Sequence, residues 1–482
     1  MTTGLLLEVT GIQKYIFSTN RLKQNAGASY IVTTILSTTG FLHSVINEYK
    51  YSPNIVYSAG GTALLLFDNP KNAKGFSRIF SLEVLKEFPG ILIAAGLYTG
   101  DYTDDKFNEF LLQCRKNLTN NKAGFIPQTS LPGYGFTADC IFSGRPAGMI
   151  SNRNKEKMSH EIATKEAYFE KAQKVLKDKY GYDFPSDFKE IGTSSEGDGK
   201  NRIAIVHVDG NMMGARLRNL NTKVEFQEYS QKIEHVMMNT LKKLIIEIDE
   251  RIQLGLFPDT LGINMAKIPI RPIIASGDDI TFVCNGNIGV WCAKRYLDIL
   301  ALDQEHDDEP ISACAGVAVT KPSHPFHEGY HLAEELVNSA KSVSRDYPGV
   351  SFIDFQNHKA GIIGTLESMR EDSLSINGES LIGRPFAIGR GQEGIEKLIA
   401  ETKKIVASWP KSKIKELRSA IYKGKSEVKS LLAQVEHMKS IVPELDSGRQ
   451  RQKMGIPTYL DLCDFIDLVI DWPDQVNRGS HE

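Results

Sequence analysis

Two aspartates stand in a tight turn, Ser276-Gly277-Asp278-Asp279, between two short apolar runs. Arg271-Pro272-Ile273-Ile274-Ala275 reads as one strand and Ile280-Thr281-Phe282-Val283-Cys284 as the next, so a hairpin carries both acids. Upstream, Ile203-Ala204-Ile205-Val206-His207-Val208 reads as a buried strand that ends in Asp209-Gly210-Asn211-Met212-Met213-Gly214. If these strands are neighbours, Asp209 meets the Asp-Asp turn at one end of a sheet. Crowded carboxylates repel, and a divalent cation is their natural neutraliser. Mg2+ (or Mn2+) suits a few carboxylates that share the ion with phosphate oxygens. A Gly-Asp-Asp turn alone is usually a solvated hairpin. The strand-final Asp209 and the glycine-punctuated loop after it favour a metal–nucleotide site. Gly210 and Gly214 would let backbone N–H groups approach a phosphate ahead of a helix. Successive strand residues face opposite sides, so one of Asp278 and Asp279 is expected to bind metal and the other to orient the site.

A chain of 482 residues has room for about three domains, and 41% hydrophobic with 24% charged residues is ordinary for a globular protein. The formal charge of −2 provides no global basic field for nucleic acid. No apolar stretch is long enough to span a membrane, and the N-terminus lacks a signal-peptide pattern. The six cysteines are scattered without a CxxC pair, so neither a zinc ribbon nor a disulfide framework is indicated. Reduced thiols in a cytoplasm are expected.

Residues 1–120 follow the order β-α-β-β-α-β, the ferredoxin-like pattern. Leu5-Leu6-Leu7-Glu8-Val9 is its first strand, a hairpin surrounds Ala59-Gly60-Gly61, a helix covers 74–87 and a strand 91–97. Residues 201–356, within a catalytic palm domain expected over 201–390, repeat the order, with helices over 224–253, 288–302 and 329–344 and strands over 311–319 and 351–355. The expected fold class is therefore α+β: two ferredoxin-like, palm-like domains from one duplicated unit. The order is common enough that coincidence competes with duplication, but the paired strand–glycine-turn–strand elements favour duplication. Residues 121–200 read as a connector with a helix at 161–179 and a linker at 193–200. Residues 391–482 read as a helical domain with segments 395–408, 411–422, 426–442 and 459–470. The acidic loop 303–309, with His306-Asp307, reads as a solvated turn.

Gly11-Ile12-Gln13-Lys14-Tyr15-Ile16-Phe17 and Asn25-Ala26-Gly27-Ala28-Ser29 resemble the first palm of the large polymerase-like subunit of type III CRISPR effector complexes. The Asp209–Gly214 segment, Ser276-Gly277-Asp278-Asp279 and Leu332-Ala333-Glu334-Glu335-Leu336 with Ala340-Lys341 resemble its second, catalytic palm. The likeness runs in order over roughly residues 1–390 and extends to GGDEF and class III nucleotide cyclases. Two departures stand out. The HD nuclease domain of the family has no counterpart ahead of Leu5, and its zinc cysteines are represented only by Cys140. A stand-alone relative is therefore expected.

The resemblance implies synthesis of cyclic or linear oligonucleotide second messengers from NTPs, with ATP favoured, in prokaryotic antiviral signalling. Asp209, Asp278 and Asp279 would be the catalytic and metal-binding acids. Gly210, Asn211, Met212, Gly214, Ser276, Gly277 and Lys341 would hold the nucleotide. The first palm is expected to lack the catalytic acids, with Glu8-Val9-Thr10 where Asp209 would align and Thr10 and Thr62 where acids would be needed, and to bind a second nucleotide beside Gly60 and Gly61. An RNA or protein activator and a homo-oligomer are compatible with it. Two other readings stay open: a non-catalytic nucleotide sensor, and an RNA-binding CRISPR-effector subunit. Retained acids speak against the first and the absence of basic excess against the second.

Overall fold

Leu5-Leu6-Leu7 lies at the centre of a strand buried on both faces, and that burial organises the N-terminal half. The computed structural model describes residues 1–125, 135, 137–151, 155–193, 201–257, 267–304, 307, 310–358, 364–376, 378–390, 393–438, 440–445 and 455–469. Strands β1 (Thr2–Thr10), β2 (Asn54–Ala59), β3 (Thr62–Phe67) and β4 (Leu92–Gly100) form an antiparallel sheet in the order β2-β3-β1-β4. A two-stranded ribbon, β5 (Met149–Ile150) and β6 (Lys157–Met158), belongs to the connector. The second sheet contains β7 (Ile203–Gly210), β8 (Ile270–Ser276), β9 (Asp279–Asn285), β10 (Ala313–Thr320) and β11 (Phe352–Asn357). A second ribbon, β12 (Ser375–Ile376) and β13 (Glu379–Ser380), precedes its last strand, β14 (Phe386–Ala387). The second sheet's order is β14-β11-β10-β7-β9-β8, whose last four strands, read back from β8, repeat the first sheet. Each is a ferredoxin-like palm. β11 runs parallel to β10, which the crossover helix Phe326–Ser344 permits.

The duplication holds residue by residue. Glu8 lies opposite Thr62 in the first sheet, and Asp209 lies opposite Asp279 in the second. The hairpin register slips at Val56 in one palm and at Ile273, the matching position, in the other. Each bulged carbonyl accepts a hydrogen bond from the opposite palm: Ser29 Oγ donates to Ile273 O, and Gln227 Nε2 donates to Val56 O. Three residues past Glu8, Gly11 caps helix Ile12–Ile16 at φ 65°; three past Asp209, Met212 caps Met213–Arg218 at φ 59°. A helix crosses each sheet where glycine removes the side chain. A Cβ at Gly96 would run into Cys114 O and Leu118 N of helix Phe107–Ala123. One at Gly316 would run into Ala333 O and Val337 N of helix Phe326–Ser344. The palms thus face each other about a pseudo-twofold axis.

The other helices differ modestly from expectation. The long one over Lys223–Gln253 starts at a capping box made by Thr222 and Glu225. The segment expected at 161–179 divides into His160–Ala167 and Phe169–Tyr180, and Lys165 in the first is fully buried, donating to Tyr15 O at 2.6 Å. The helix expected to reach 442 ends at His437. The chain ahead of Pro443 is biased away from helix, and Ile441 O instead accepts from Trp409 Nε1 at 2.7 Å. Helices Gly394–Ser408 and Tyr459–Val469 pack their apolar faces on the second palm, where Leu398, Leu460 and Phe465 share a core with Phe355 and Phe386. The linker at 194–200 and His306 lie outside the described residues. Among those residues no helix is long and apolar enough to cross a membrane.

Candidate active site

Alternation along β7 puts His207 and Asp209 on the sheet face covered by helix Phe326–Ser344. His207 Nδ1 lies 3.0 Å from Thr281 Oγ1 and 3.3 Å from Asp279 Oδ1. Burial holds the imidazole below its usual range, so it is neutral at pH 7. Lys341, one turn from the end of that helix, places Nζ 2.6 Å from Asp209 Oδ2. Glu334, two turns earlier, accepts from Gln13 Nε2 of the first palm at 3.1 Å.

This face concentrates negative charge. Burial, then Asp209, Asp278 and Glu334, push the Asp279 carboxyl up to about 8, with Lys341 opposing. Burial and Asp209 raise Asp278 as well. The two acids of the turn are thus unlike: Asp279 is packed against His207, whereas Asp278 lines a cleft between the palms. The cleft encloses about 550 Å3, with Tyr57, Gly60, Thr62 and Arg115 on one wall and Met213, Gly277 and Asp278 on the other. Among the described residues no three carboxylate, imidazole or thiolate groups are gathered closely enough to hold a metal ion by themselves.

Several expected roles change. The amides of Gly210 and Asn211 are used by the fold: Gly210 N donates to Asp278 O at 3.3 Å and Asn211 N to Ser312 O at 2.8 Å. The Asn211 side chain is buried and donates to Ser312 Oγ at 3.0 Å, so it braces the strand end rather than facing a ligand. Met212 and Gly214 remain at the start of a short helix, and Met212 is exposed. Gly277, left-handed at φ 61°, borders the cleft; Ser276 pairs with Asp279 at the hairpin's mouth. Gly60 borders the cleft opposite, but Gly61 does not, because a Cβ there would meet Ile12 Cδ1 at 2.7 Å.

The first palm also retains an acid. Glu8, not Thr10, occupies the place of Asp209, and its partner is Lys122. Lys122 lies four residues past Leu118, as Lys341 lies four past Val337, so the two ion pairs correspond. Helix Phe107–Ala123, which carries Lys122 and Arg115, was not expected from sequence. Its buried Phe107, Phe110, Leu111, Cys114 and Leu118 have helical spacing that would have revealed it.

No protein-family model matches the chain, and no curated protein matches it. Solved structures do. The chain superposes on the Csm1–Csm4 cassette in complex with AMPPNP with a TM-score of 0.57 at 14% identity, covering 97% of this chain and 70% of that one. Csm1 of T. onnurineus gives a TM-score of 0.57 at 13% identity, with 98% and 70% covered. The cassette in complex with cA3 gives 0.54 at 13%, with 97% and 69% covered. These structural neighbours contain Csm1, one of them as the Csm1–Csm4 subcomplex of the type III-A CRISPR-Csm interference complex. At this identity the likeness establishes the fold.

Proposed function

We propose that the chain is a metal-dependent nucleotidyltransferase that makes cyclic or linear oligonucleotides, oligoadenylates foremost, from nucleoside triphosphates. The observation that carries the proposal is the crowding of Asp209, Asp278 and Asp279 beside Lys341 where two palms share one cleft. Neighbours of the same fold have been solved with AMPPNP, cA3 and cA4, which supports a nucleotide ligand in that cleft.

The acids fit Mg2+ (or Mn2+): they are hard oxygen donors whose mutual repulsion a cation relieves, and they are too few to enclose an ion without substrate oxygens. Asp209 and Asp278 would hold it, with Asp279 orienting the turn through His207. Bound there, the cation would lower the pKa of an attacking ribose hydroxyl and offset charge on the phosphates. The residues' own work is positional. The first palm presents one nucleotide's hydroxyl to the α-phosphate of the nucleotide on the second palm. The hydroxyl gives its proton to solvent, a new P–O bond forms at the α-phosphorus, the α–β bridge breaks and pyrophosphate leaves. Lys341 is placed to release Asp209 and take up the triphosphate. We place the activity in cytoplasmic antiviral signalling, with an RNA activator or a protein partner in the manner of Csm4.

Incubation with each NTP and Mg2+ or Mn2+, followed by mass analysis, tests this. Oligonucleotide product is expected, falling at least about a hundredfold in Asp278→Ala or Asp209→Ala while the fold is kept. Binding without product would identify a sensor, and full activity in either variant would remove these acids from the mechanism.

A further inference from the structure

The pseudo-twofold axis pairs each residue of the catalytic cluster with one in the first palm, and the pairs differ in charge. On the second palm Asp209, Asp278, Asp279 and Glu334 share a neighbourhood with Lys341, four carboxylates against one lysine. The register matches Asp209 to Glu8, Asp278 to Gly61 and Asp279 to Thr62. The helix crossing matches Lys341 to Lys122 and, seven residues earlier on each helix, Glu334 to Arg115. The formal charge of the matched positions is therefore −3 on the second palm and +1 on the first. Carboxylates have become neutral at two places and cationic at a third.

The surroundings of Arg115 make that change accessible. Glu334 is covered by Gln13 of the opposite palm. The residue matching Gln13, counted from the left-handed caps Gly11 and Met212, is Gly214. Gly214 has no side chain to extend over Arg115, and a Cβ there would approach only Arg218 Nη1, at 3.7 Å. Arg115 is left bordering the 550 Å3 cleft, beside Tyr57. Lys122 and Arg115 lie two helical turns apart on one helix face, about 10 Å along the axis. That separation suits the length of a polyphosphate.

From this we infer that the first palm holds its nucleotide as a metal-free polyphosphate, with Arg115 and Lys122 supplying the positive charge that a cation supplies on the second palm. Lys122 exchanges Glu8 for phosphate oxygens, and the Arg115 guanidinium takes a second phosphate through paired N–H donors. The inference rests on the two-nucleotide reading above, but its own content is independent of turnover: one site requires a divalent ion and the other does not.

Equilibrium dialysis of the full chain with α,β-methylene-ATP, an ATP analogue whose α–β bridge cannot be cleaved, tests it. One equivalent is expected to bind in EDTA and two with excess Mg2+. Arg115→Ala and Lys122→Ala should each weaken the EDTA-resistant equivalent about tenfold or more and leave the Mg2+-dependent one, whose retention certifies the fold. Lys122→Arg, which keeps the charge, should preserve much of it, whereas Arg115→Lys, which keeps the charge but loses the paired donors, should retain only part. No binding in EDTA, or EDTA-resistant binding lost on Lys341→Ala but not on Arg115→Ala, would overturn the inference. Product formation without EDTA-resistant binding would defeat it and leave the proposed activity standing. EDTA-resistant binding at Arg115 without product would do the reverse.

Discussion

Asp279 shows how one residue's surroundings set its part in a site. It is adjacent to Asp278 in sequence, yet it opens β9 against Asp209 and leans on His207, while Asp278 stays in the turn beside the cleft. The same division separates Gly60 from Gly61. Both are left-handed, at φ 57° and 74°, as a type I′ hairpin turn requires. Gly61 packs on Ile12, whereas a Cβ at Gly60 would meet nothing within 4 Å. Asparagine tolerates the left-handed region, and Asn-Gly is a favoured pair for this turn. Gly60→Asn is therefore expected to fold with a melting temperature within a few degrees of wild type. Its side chain projects into the cleft, so α,β-methylene-ATP stoichiometry with Mg2+ should fall from two to one and product synthesis by about tenfold or more. Unchanged stoichiometry with full synthesis would show that the hairpin only makes a turn.

Among the elements, strands were legible where apolar runs are bounded by turn residues, as at Ile203–Gly210 and Asp279–Asn285. Their pairing was legible only in outline, because register depends on partners distant in sequence. Within Glu8-Val9-Thr10, Glu8 could be singled out as the match of Asp209 only once each was seen opposite the first residue of a hairpin's second strand. The amides of Gly210 and Asn211 looked free for phosphate because Ser312, which takes the Asn211 amide, lies about a hundred residues away. Helix Phe107–Ala123 is different: its signal was present and its consequence, Lys122 beside Glu8, followed from it. The entry to helix Phe326–Ser344 offers a test at this scale. His324 and His358 pack with ring centroids 4.5 Å apart and ring planes tilted by 47°. Burial, and for His324 the second imidazole, holds both below their usual 6.5. The folded state thus binds fewer protons here than the unfolded chain, so stability should fall as pH drops through 6.5. His358→Gln is expected to flatten the dependence of the urea midpoint on pH between about 7 and 5. An identical slope in the variant would show that the pair does not contribute.

For the whole molecule, the two palm sheets border the Asp278 cleft, and the C-terminal helices pack on the second palm. Arg384 is the junction. Its side chain is fully buried, with Nε 3.1 Å from Asp461 Oδ1, Nη2 2.7 Å from Asp464 Oδ2, and Nη1 donating to Phe355 O at 2.7 Å. It therefore joins β11 to helix Tyr459–Val469. Asp461 also accepts from the amides of Gly383 and Thr458, so it is fixed in place and cannot move to water if its partner is lost. Arg418 reaches the same Asp464, at 2.8 Å, from the surface with about a third of its side chain exposed. Removing one member of a buried pair strands a charge, whereas a half-exposed pair is replaced by water. Arg384→Ala should then cost about 3–5 kcal/mol and Arg418→Ala about 1 kcal/mol or less. Urea denaturation of the two variants measures the difference. The Asp278 cleft lies on the other side of the second sheet's order from β14, so Arg418→Ala should leave nucleotide binding intact. Equal losses of stability would mean that the buried network does not anchor the helical domain, and that its apolar contacts alone hold it to the palm.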